Sequence, residues 1–449
     1  MTWNKFNKSG DCMSIYKKLL SRNPTTSSVY FWNILGSAIN ALSSMILLIL
    51  VNRILGIQDG DIFSLAFSIG QMMLTVATFQ VRVYQATDVT EKFKFHHYFF
   101  FRVLSCAAMV VVSAVYCLAN GYTGEKLAVV FLICLFRVAD AFSDVYQGMF
   151  QQKERLDLAG MSLTFRTVFS IFVFIVAMLV SHNLTVSVAA FTLSSFIAVA
   201  FFDYGICVFM QKKFPGLSLK KWWKDLRAVK DLAIRCLPLF INAYLIMAIY
   251  NEPKFSIDLY TSTGVLSSGT QTYYSILFMP AAVINLLLIL FRPILTKMAF
   301  AYNDDDFRRI YKIVFTVILI LIGFTAIALL AAYFLGIPIL TLLYGTGEGL
   351  NPYRGALLII ILGGGVNAMA NLLDNAVTVF RNQKYLLIAY LATFLAVKFI
   401  TNPLVESQGI MGASYTFLIS EIILFLIILV IFILSAAHSS LKKKMIGRA

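Results

Sequence analysis

Five polar residues form a regular row in an otherwise apolar segment: Arg137, Asp140, Asp144, Gln147 and Gln151. Their separations of 3, 4, 3 and 4 residues place them within about 80° of one another on an α-helix. Each ionised group would cost about 2.5–3.5 kcal/mol if it met hydrocarbon at the centre of a bilayer. We therefore expect the row to face a partner helix or a water-filled cavity, where its groups can bind ions or anionic ligands.

A structural ion pair is an equally good interpretation of Arg137 and Asp140, which are three residues apart. That pair leaves Gln147 and Gln151 unexplained, whereas a polar interior surface accounts for the whole row. Arg137 and Gln147 are therefore candidates for substrate binding. Asp140 and Asp144 are candidates for ion coupling.

A second polar row lies 230 residues further along the chain, where Asp374 aligns with Asp144. Its members have separations of 4, 3, 4 and 3 residues: Asn367, Asn371, Asp374, Thr378 and Arg381. We interpret the two rows as an internal repeat with its axis along the membrane normal. Asn371 is a further substrate-binding candidate, and Asp374 is a further ion-coupling candidate.

More charged residues lie within or at the ends of apolar runs: Arg82, Arg166, Glu252, Lys254 and Arg292. Snorkelling to the lipid headgroups is the ordinary explanation for Arg82 and Arg166. Arg292 precedes a proline, which frees a backbone carbonyl that needs a partner in protein or water. Inward-facing arginines from both halves would form a cationic cavity suited to phosphate. We therefore expect the four basic residues to bind substrate and Glu252 to contribute to ion coupling.

The composition is that of a membrane protein. Of 449 residues, 59% are hydrophobic and 13% are charged, against about 25% charged in soluble domains. Crossing a bilayer takes about 20 apolar residues per helix, and such runs recur almost from end to end. The net charge of +15 comes from basic residues in short loops, so we expect no nucleic-acid partner. The sequence has no catalytic, nucleotide-binding or metal-binding motif, which predicts a protein that is not an enzyme and has no cofactor.

Twelve apolar runs are predicted to span the membrane. They lie near residues 28–52, 62–85, 98–119, 127–150, 161–181, 185–210, 232–251, 270–298, 310–334, 355–380, 384–402 and 409–436. With the amino terminus inside, the cytoplasmic segments contain 29 Lys and Arg residues and the outside segments contain five. The positive-inside rule then places both termini in the cytoplasm.

The predicted spans divide the chain into two halves around a basic connection. We expect a cytoplasmic segment at 1–27, a six-helix lobe at 28–210, a cytoplasmic linker at 211–231, a second six-helix lobe at 232–436 and a basic tail at 437–449. The linker contains Trp222 and Trp223 among lysines. That pattern is typical of an amphipathic segment on anionic lipid, and a solvated connection is an equally good interpretation.

Three segments resemble a known family: RVYQATDV at 82–89, DAFSDVYQGMFQQKERLDLAG at 140–160 and YNEPKFSID at 250–258. They are similar to segments of bacterial polysaccharide repeat-unit flippases of the O-antigen and capsule type. Those proteins belong to the multidrug/oligosaccharidyl-lipid/polysaccharide (MOP) exporter superfamily. The resemblance covers nearly the whole chain and implies a MATE-like, all-α fold of two pseudo-symmetric six-helix bundles.

The resemblance also implies a function. Family members move undecaprenyl-diphosphate-linked oligosaccharides from the inner to the outer leaflet of the bacterial cytoplasmic membrane by alternating access. The implied partners are this polyprenyl-linked substrate, membrane lipid, a driving H+ or Na+ ion and other polysaccharide-assembly proteins. A multidrug or cation antiporter of the same superfamily is the main alternative, and an arginine-rich interior disfavours it. A membrane-embedded polymerase or acyltransferase would need larger outer loops, and a scaffold would not explain two buried polar rows.

Overall fold

The computed structural model describes residues 24–88, 91–213, 226–287 and 292–446, and all regular secondary structure in these ranges is helical. The α-helices are α1 (Thr26–Ile54), α2 (Ile57–Thr78), α3 (Val81–Thr87), α4 (Phe95–Ala119), α5 (Gly124–Gln152), α6 (Leu156–Ser181), α7 (Leu184–Ala198), α8 (Gly205–Lys213), α9 (Leu226–Ser262), α10 (Thr270–Leu287), α11 (Arg292–Asn303), α12 (Phe307–Ala331), α13 (Ile337–Tyr344), α14 (Arg354–Val379), α15 (Leu386–Gln408) and α16 (Ile410–Ile446). Short π-helical segments join α7 to α8 (Val199–Tyr204) and α12 to α13 (Ala332–Gly336).

Ten helical segments in the described ranges are long and apolar enough to cross a membrane. They are Thr26–Ile54, Ile57–Thr78, Phe95–Ala119, Leu156–Ser181, Leu184–Met210, Leu226–Ser262, Phe307–Tyr344, Gly347–Val379, Gln383–Gln408 and Ile410–Ser439. The chain is therefore an all-α, multi-span membrane protein, as its composition predicts. Helix α5 is not among the ten because Arg137, Asp140 and Asp144 interrupt its apolar sequence.

The predicted second span, 62–85, is interrupted where α2 meets α3. Phe79 and Gln80 have φ angles of 48° and 54°, in the left-handed region that residues other than glycine seldom adopt. The Phe79 ring stacks on Phe240 with 4.3 Å between centroids, which helps to hold this backbone conformation. The break starts a separate short helix, α3, and α3 carries Arg82.

The described chain forms two compact units. Unit 1 contains described residues of Met1–Leu47 and Ile69–Phe240, and unit 2 contains those of Leu48–Ser68 and Ile241–Ala449. The carboxyl-terminal end of α1 and the amino-terminal part of α2 therefore belong to unit 2. Asn52 there donates to the Tyr344 carbonyl oxygen at 2.6 Å, and Asp61 accepts from the Thr272 amide at 2.7 Å.

In unit 1, polar contacts define the directions of three helices. Helices α6 and α7 form an antiparallel hairpin, with Ser170 bonded to Ser195 at 2.9 Å and Ser162 bonded to Asp203 at 2.5 Å. Helix α5 runs parallel to the continuous segment α7–α8. Its contacts begin at Glu125 with Thr185, continue from the Leu132 carbonyl to Thr192 and reach Met149 with Cys207. Helix α5 thus follows a candidate span along most of its length.

In unit 2, polar contacts define two pairs of parallel helices. Helix α14 runs parallel to α16, where Asn367 bonds to Glu421 at 2.7 Å. One turn earlier, a Cβ at Gly363 would lie 2.8 Å from the Phe417 ring, so a glycine is needed for this close approach. Helix α9 runs parallel to α15 through three contacts: Glu252–Lys398, Ser256–Asn402 and Tyr260–Glu406.

Candidate functional site

The first candidate site lies in unit 1, where the polar row of α5 meets α6. Asp140 accepts from Arg137 Nη1 at 2.7 Å through Oδ2 and from Arg166 Nη1 through Oδ1. The side chains of the two arginines are only 8% and 4% exposed, respectively. One carboxylate therefore lies between two buried guanidinium groups. Both interpretations of the row have support here, since Arg137 is ion-paired and also belongs to a larger polar cluster.

A second cluster surrounds Asp144 one turn further along α5. Its Oδ2 accepts from Arg102 Nη2 at 2.8 Å, and its Oδ1 lies 3.5 Å from Arg82 Nη1. Arg82 also donates to Gln147 Oε1 at 2.9 Å and reaches Gln151 Oε1 at 3.5 Å. The five residues of the predicted row thus belong to two neighbouring clusters of polar contacts on α5. With a 30% exposed side chain, Arg82 is the most accessible arginine in these two clusters.

Close packing of α3 on α5 positions Arg82. A Cβ at Gly148 would lie 2.4 Å from Gln85 Oε1 and 3.3 Å from Arg82 Cγ. Glycine at this position therefore lets the short helix approach the polar row. Gln85 is fully buried, and neither of its amide atoms has a hydrogen-bond partner in the described chain.

Two buried charged residues of this unit were not predicted as site residues. Arg102, within the predicted span 98–119, is fully buried and bonds to Asp144 and to the Ala77 carbonyl oxygen. Asp203 is fully buried in the π-helical segment and accepts from Ser162 Oγ. The sequence signal in each case is one charge in an apolar run, in FFFRVLSC and AFFDYGI. π-Helical turns inside α-helices are frequent at functional sites.

Unit 2 carries the second predicted row on α14. Asn371 Nδ2 donates to Asn367 Oδ1 at 2.9 Å, and Asn367 Nδ2 donates to Glu421 Oε2 at 2.7 Å. Tyr390 of α15 donates to Asp374 Oδ2. Glu421 was not predicted as a site residue. The described structure shows no ion pair for either acid, and their bonded partners are neutral.

Lys254 on α9 is a half-buried cation with neutral contacts. Its Nζ lies 3.1 Å from Ser68 Oγ and 5.2 Å from the centroid of the Phe278 ring. Within the described part of the chain Lys254 forms no ion pair, and the neighbouring Glu252 binds Lys398 at 2.7 Å. A half-buried ammonium group with neutral neighbours can donate hydrogen bonds to an anionic group from outside the protein.

A face of α10 near Lys254 carries polar groups with no partner in the described chain. They are both amide atoms of Gln271, the Tyr274 hydroxyl and the Ser275 hydroxyl. Tyr274 contacts Phe278, the ring beneath Lys254. The predicted site residue Arg292 begins α11, and its side chain lies outside the described residues. No cluster of three or more potential metal ligands is found among the residues that were described.

Comparison with solved structures defines the class of fold. An inward-facing MATE multidrug transporter of the MOP superfamily matches 96% of this chain and 98% of its own chain, with TM-score 0.66 and 12% identity. A mutant of the Vibrio cholerae MATE transporter VcmN matches 94% and 97%, with TM-score 0.60 and 13% identity. A Pyrococcus furiosus MOP transporter, described as having a binding pocket of reverse polarity, matches 92% and 95%, with TM-score 0.55 and 13% identity. The chain therefore has a MATE-like fold.

Sequence comparison adds one curated relative. The capsular polysaccharide biosynthesis protein CapF of Staphylococcus aureus is 22% identical over 312 residues, which cover 69% of this chain and 74% of that protein. No family model matches the sequence. The protein is thus similar to a capsular polysaccharide biosynthesis protein, and the MATE-like fold implied by the three sequence segments is confirmed.

Proposed function

We propose that this protein is a flippase that moves undecaprenyl-diphosphate-linked oligosaccharide repeat units from the inner to the outer leaflet of a bacterial cytoplasmic membrane. The observation that carries the proposal is the similarity to CapF over most of both chains, in a protein with a MOP transporter fold. Transport would proceed by alternating access driven by an H+ or Na+ gradient. The products would serve surface polysaccharide assembly, alongside other proteins of that process.

We further propose twelve spans with both termini in the cytoplasm. Helix α5 supports this count because it follows the candidate span Leu184–Met210 in parallel. The parallel helices α9 and α15 have two candidate spans between them, Phe307–Tyr344 and Gly347–Val379. Parallel directions need an odd number of intervening crossings, so a further crossing between Ser262 and Phe307 is required.

Two cations are the best candidates for contact with the diphosphate. Arg82 is partly exposed beside Gln147 and Asp144, and Lys254 has no carboxylate partner in the described chain. Arg137 and Arg166 are more buried and share Asp140. They would contribute positive potential near the site and hold the Asp140 carboxylate in position. The remaining predicted ligands are Asn371 and Arg292.

The proposal is tested in proteoliposomes with a diphosphate-linked polyprenyl oligosaccharide, with and without a proton or sodium gradient. We expect gradient-sensitive movement to the opposite leaflet. Lys254→Met should weaken substrate binding about tenfold or more, because a hydrogen bond to a charged group contributes about 1.5–3 kcal/mol. The exposed lysine variant Lys312→Met on α12 is the matched control.

The second candidate function is multidrug or cation antiport, favoured by the MATE multidrug transporter with the TM-score of 0.66. The same vesicles loaded with a cationic dye discriminate the two functions. Export of the dye without movement of the lipid-linked oligosaccharide would replace the flippase proposal. Movement of the oligosaccharide that is equal in Lys254→Met and wild type would remove Lys254 from the binding site.

A further inference from the structure

A row of side-chain amides leads to the most deeply buried acid of unit 2. Asn375 is exposed and donates to the Asn371 carbonyl oxygen at 2.7 Å. Asn371 is half-buried and donates to Asn367 Oδ1. Asn367 is 2% exposed and donates to Glu421, which is 0% exposed. Side-chain hydrogen bonds thus link Asn371 through Asn367 to the buried carboxyl group. Asn375, which bonds to the backbone of Asn371, continues the row of amides to the surface of the unit.

The carboxyl group of Glu421 is incompletely satisfied. Oε2 accepts from Asn367, whereas Oε1 is buried and has no hydrogen-bond partner among the described residues. An ionised carboxylate without a cation at membrane depth costs about 2.5–3.5 kcal/mol. A proton removes that charge without needing a cage of oxygen ligands, and Asn367 presents a donor N–H here.

The groups around Glu421 supply no compensating positive charge in the described chain. Helix α14 presents Asn367 and, further along, Asp374, while α15 presents Tyr390, whose hydroxyl donates to Asp374 Oδ2. Helices α9 and α10 place Tyr250 and Phe278 against Phe417, one turn before Glu421. The acid therefore bonds to a neutral amide and lies one turn from a cluster of aromatic rings.

We propose that Glu421 is a proton-binding group, reached along the Asn367–Asn371–Asn375 row. In the predicted topology the carboxyl-terminal half of α14 is cytoplasmic, so this row leads from the cytoplasmic side. Loading and release of the proton would couple the gradient to transport. That coupling role rests on the proposed transport function, whereas proton binding by Glu421 does not.

Infrared difference spectroscopy of the purified protein in lipid nanodiscs tests proton binding without any substrate. We expect the carboxyl C=O band that changes between acid and alkaline pH to lose one component in Glu421→Gln. Glu406→Gln, which removes an exposed acid on α15, should leave that component unchanged. Glu421→Asp should shift it in frequency. A component that persists unshifted in both Glu421 variants overturns the proposal.

The access row is tested separately with Asn371→Leu, which keeps Glu421 and interrupts the amide chain. We expect the Glu421 band to remain and its deuterium exchange to slow at least severalfold. Exchange as fast as in wild type overturns the row as the proton path. In proteoliposomes, Glu421→Gln should abolish acceleration by a proton gradient. If wild-type protein moves no oligosaccharide while the infrared component titrates, the flippase function fails and the proton site stands.

Discussion

The polar rows of α5 and α14 align in sequence, but the acids in the two units have opposite kinds of partner. In unit 1, Asp140 and Asp144 each contact two arginines. In unit 2, Asp374 bonds to the hydroxyl of Tyr390, and Glu421 bonds to the amide of Asn367. The two rows therefore place polar groups at matching sequence positions of two helices and differ in the charge balance around them.

This difference separates two physical roles. A buried carboxylate held by two guanidinium groups is stabilised in its ionised form, and removing one partner leaves an uncompensated charge. A buried acid with neutral partners gains little from being ionised and can exchange a proton with less disturbance of its neighbours. We therefore expect unit 1 to provide fixed charge for structure and substrate, and unit 2 to provide the titrating group.

Asp140→Asn is the strongest test of the comparison. The substitution leaves Arg137 and Arg166 buried together without their shared anion, so unfolding should require about 3–5 kcal/mol less free energy. Thermal unfolding of the detergent-purified protein measures the effect. Glu421→Gln should change stability much less, because its partner is a neutral amide. Equal losses in the two variants would contradict the division of roles.

A charge-restoring double variant sharpens that result. Asp140→Asn combined with Arg166→Gln leaves one buried cation where the single variant has two, and it should recover part of the lost thermal stability. No recovery would mean that the loss in Asp140→Asn arises from changed packing and not from unbalanced charge.

Arg102→Met should have the next largest effect. It removes the 2.8 Å contact to Asp144 Oδ2 and leaves the longer, 3.5 Å contact to Arg82. A hydrogen bond to a charged group contributes about 1.5–3 kcal/mol, and methionine retains much of the apolar stem. We expect a loss in that range by thermal unfolding. Arg308→Met, at an exposed position on α12, is the control and should leave the thermal stability unchanged.

Sequence patterns predicted the class of fold and most of the charged residues that meet on α5 in unit 1. Helical spacing identified the Arg137–Gln151 row because its members belong to one helix, and Asp140 and Asp144 do contact the arginines that were selected. The offset of 230 residues likewise located the α14 row. Apolar runs predicted the helices well, since membrane burial constrains both composition and length.

What sequence reasoning missed depends on partners from other helices. Arg102 pairs with Asp144 across 42 residues, and Asn367 meets Glu421 across 54 residues. A single charge in an apolar run does not reveal whether it snorkels or finds such a partner. The break at Phe79 and Gln80 was also missed, because neither residue carries the glycine signal that usually accompanies a left-handed backbone.

Tyr390→Phe should have the smallest effect and the most specific one. It removes the hydroxyl that donates to Asp374 and preserves the ring, so the loss of stability should be about 0.5–1.5 kcal/mol. Releasing Asp374 changes the charge distribution along α14, whose Asn367 bonds to Glu421, so the pH midpoint of the Glu421 infrared component should shift. Tyr415→Phe, on the exposed side of α16, is the control. A shift of equal size in both variants would show that the midpoint responds to general changes in the unit and not to the Tyr390 hydroxyl.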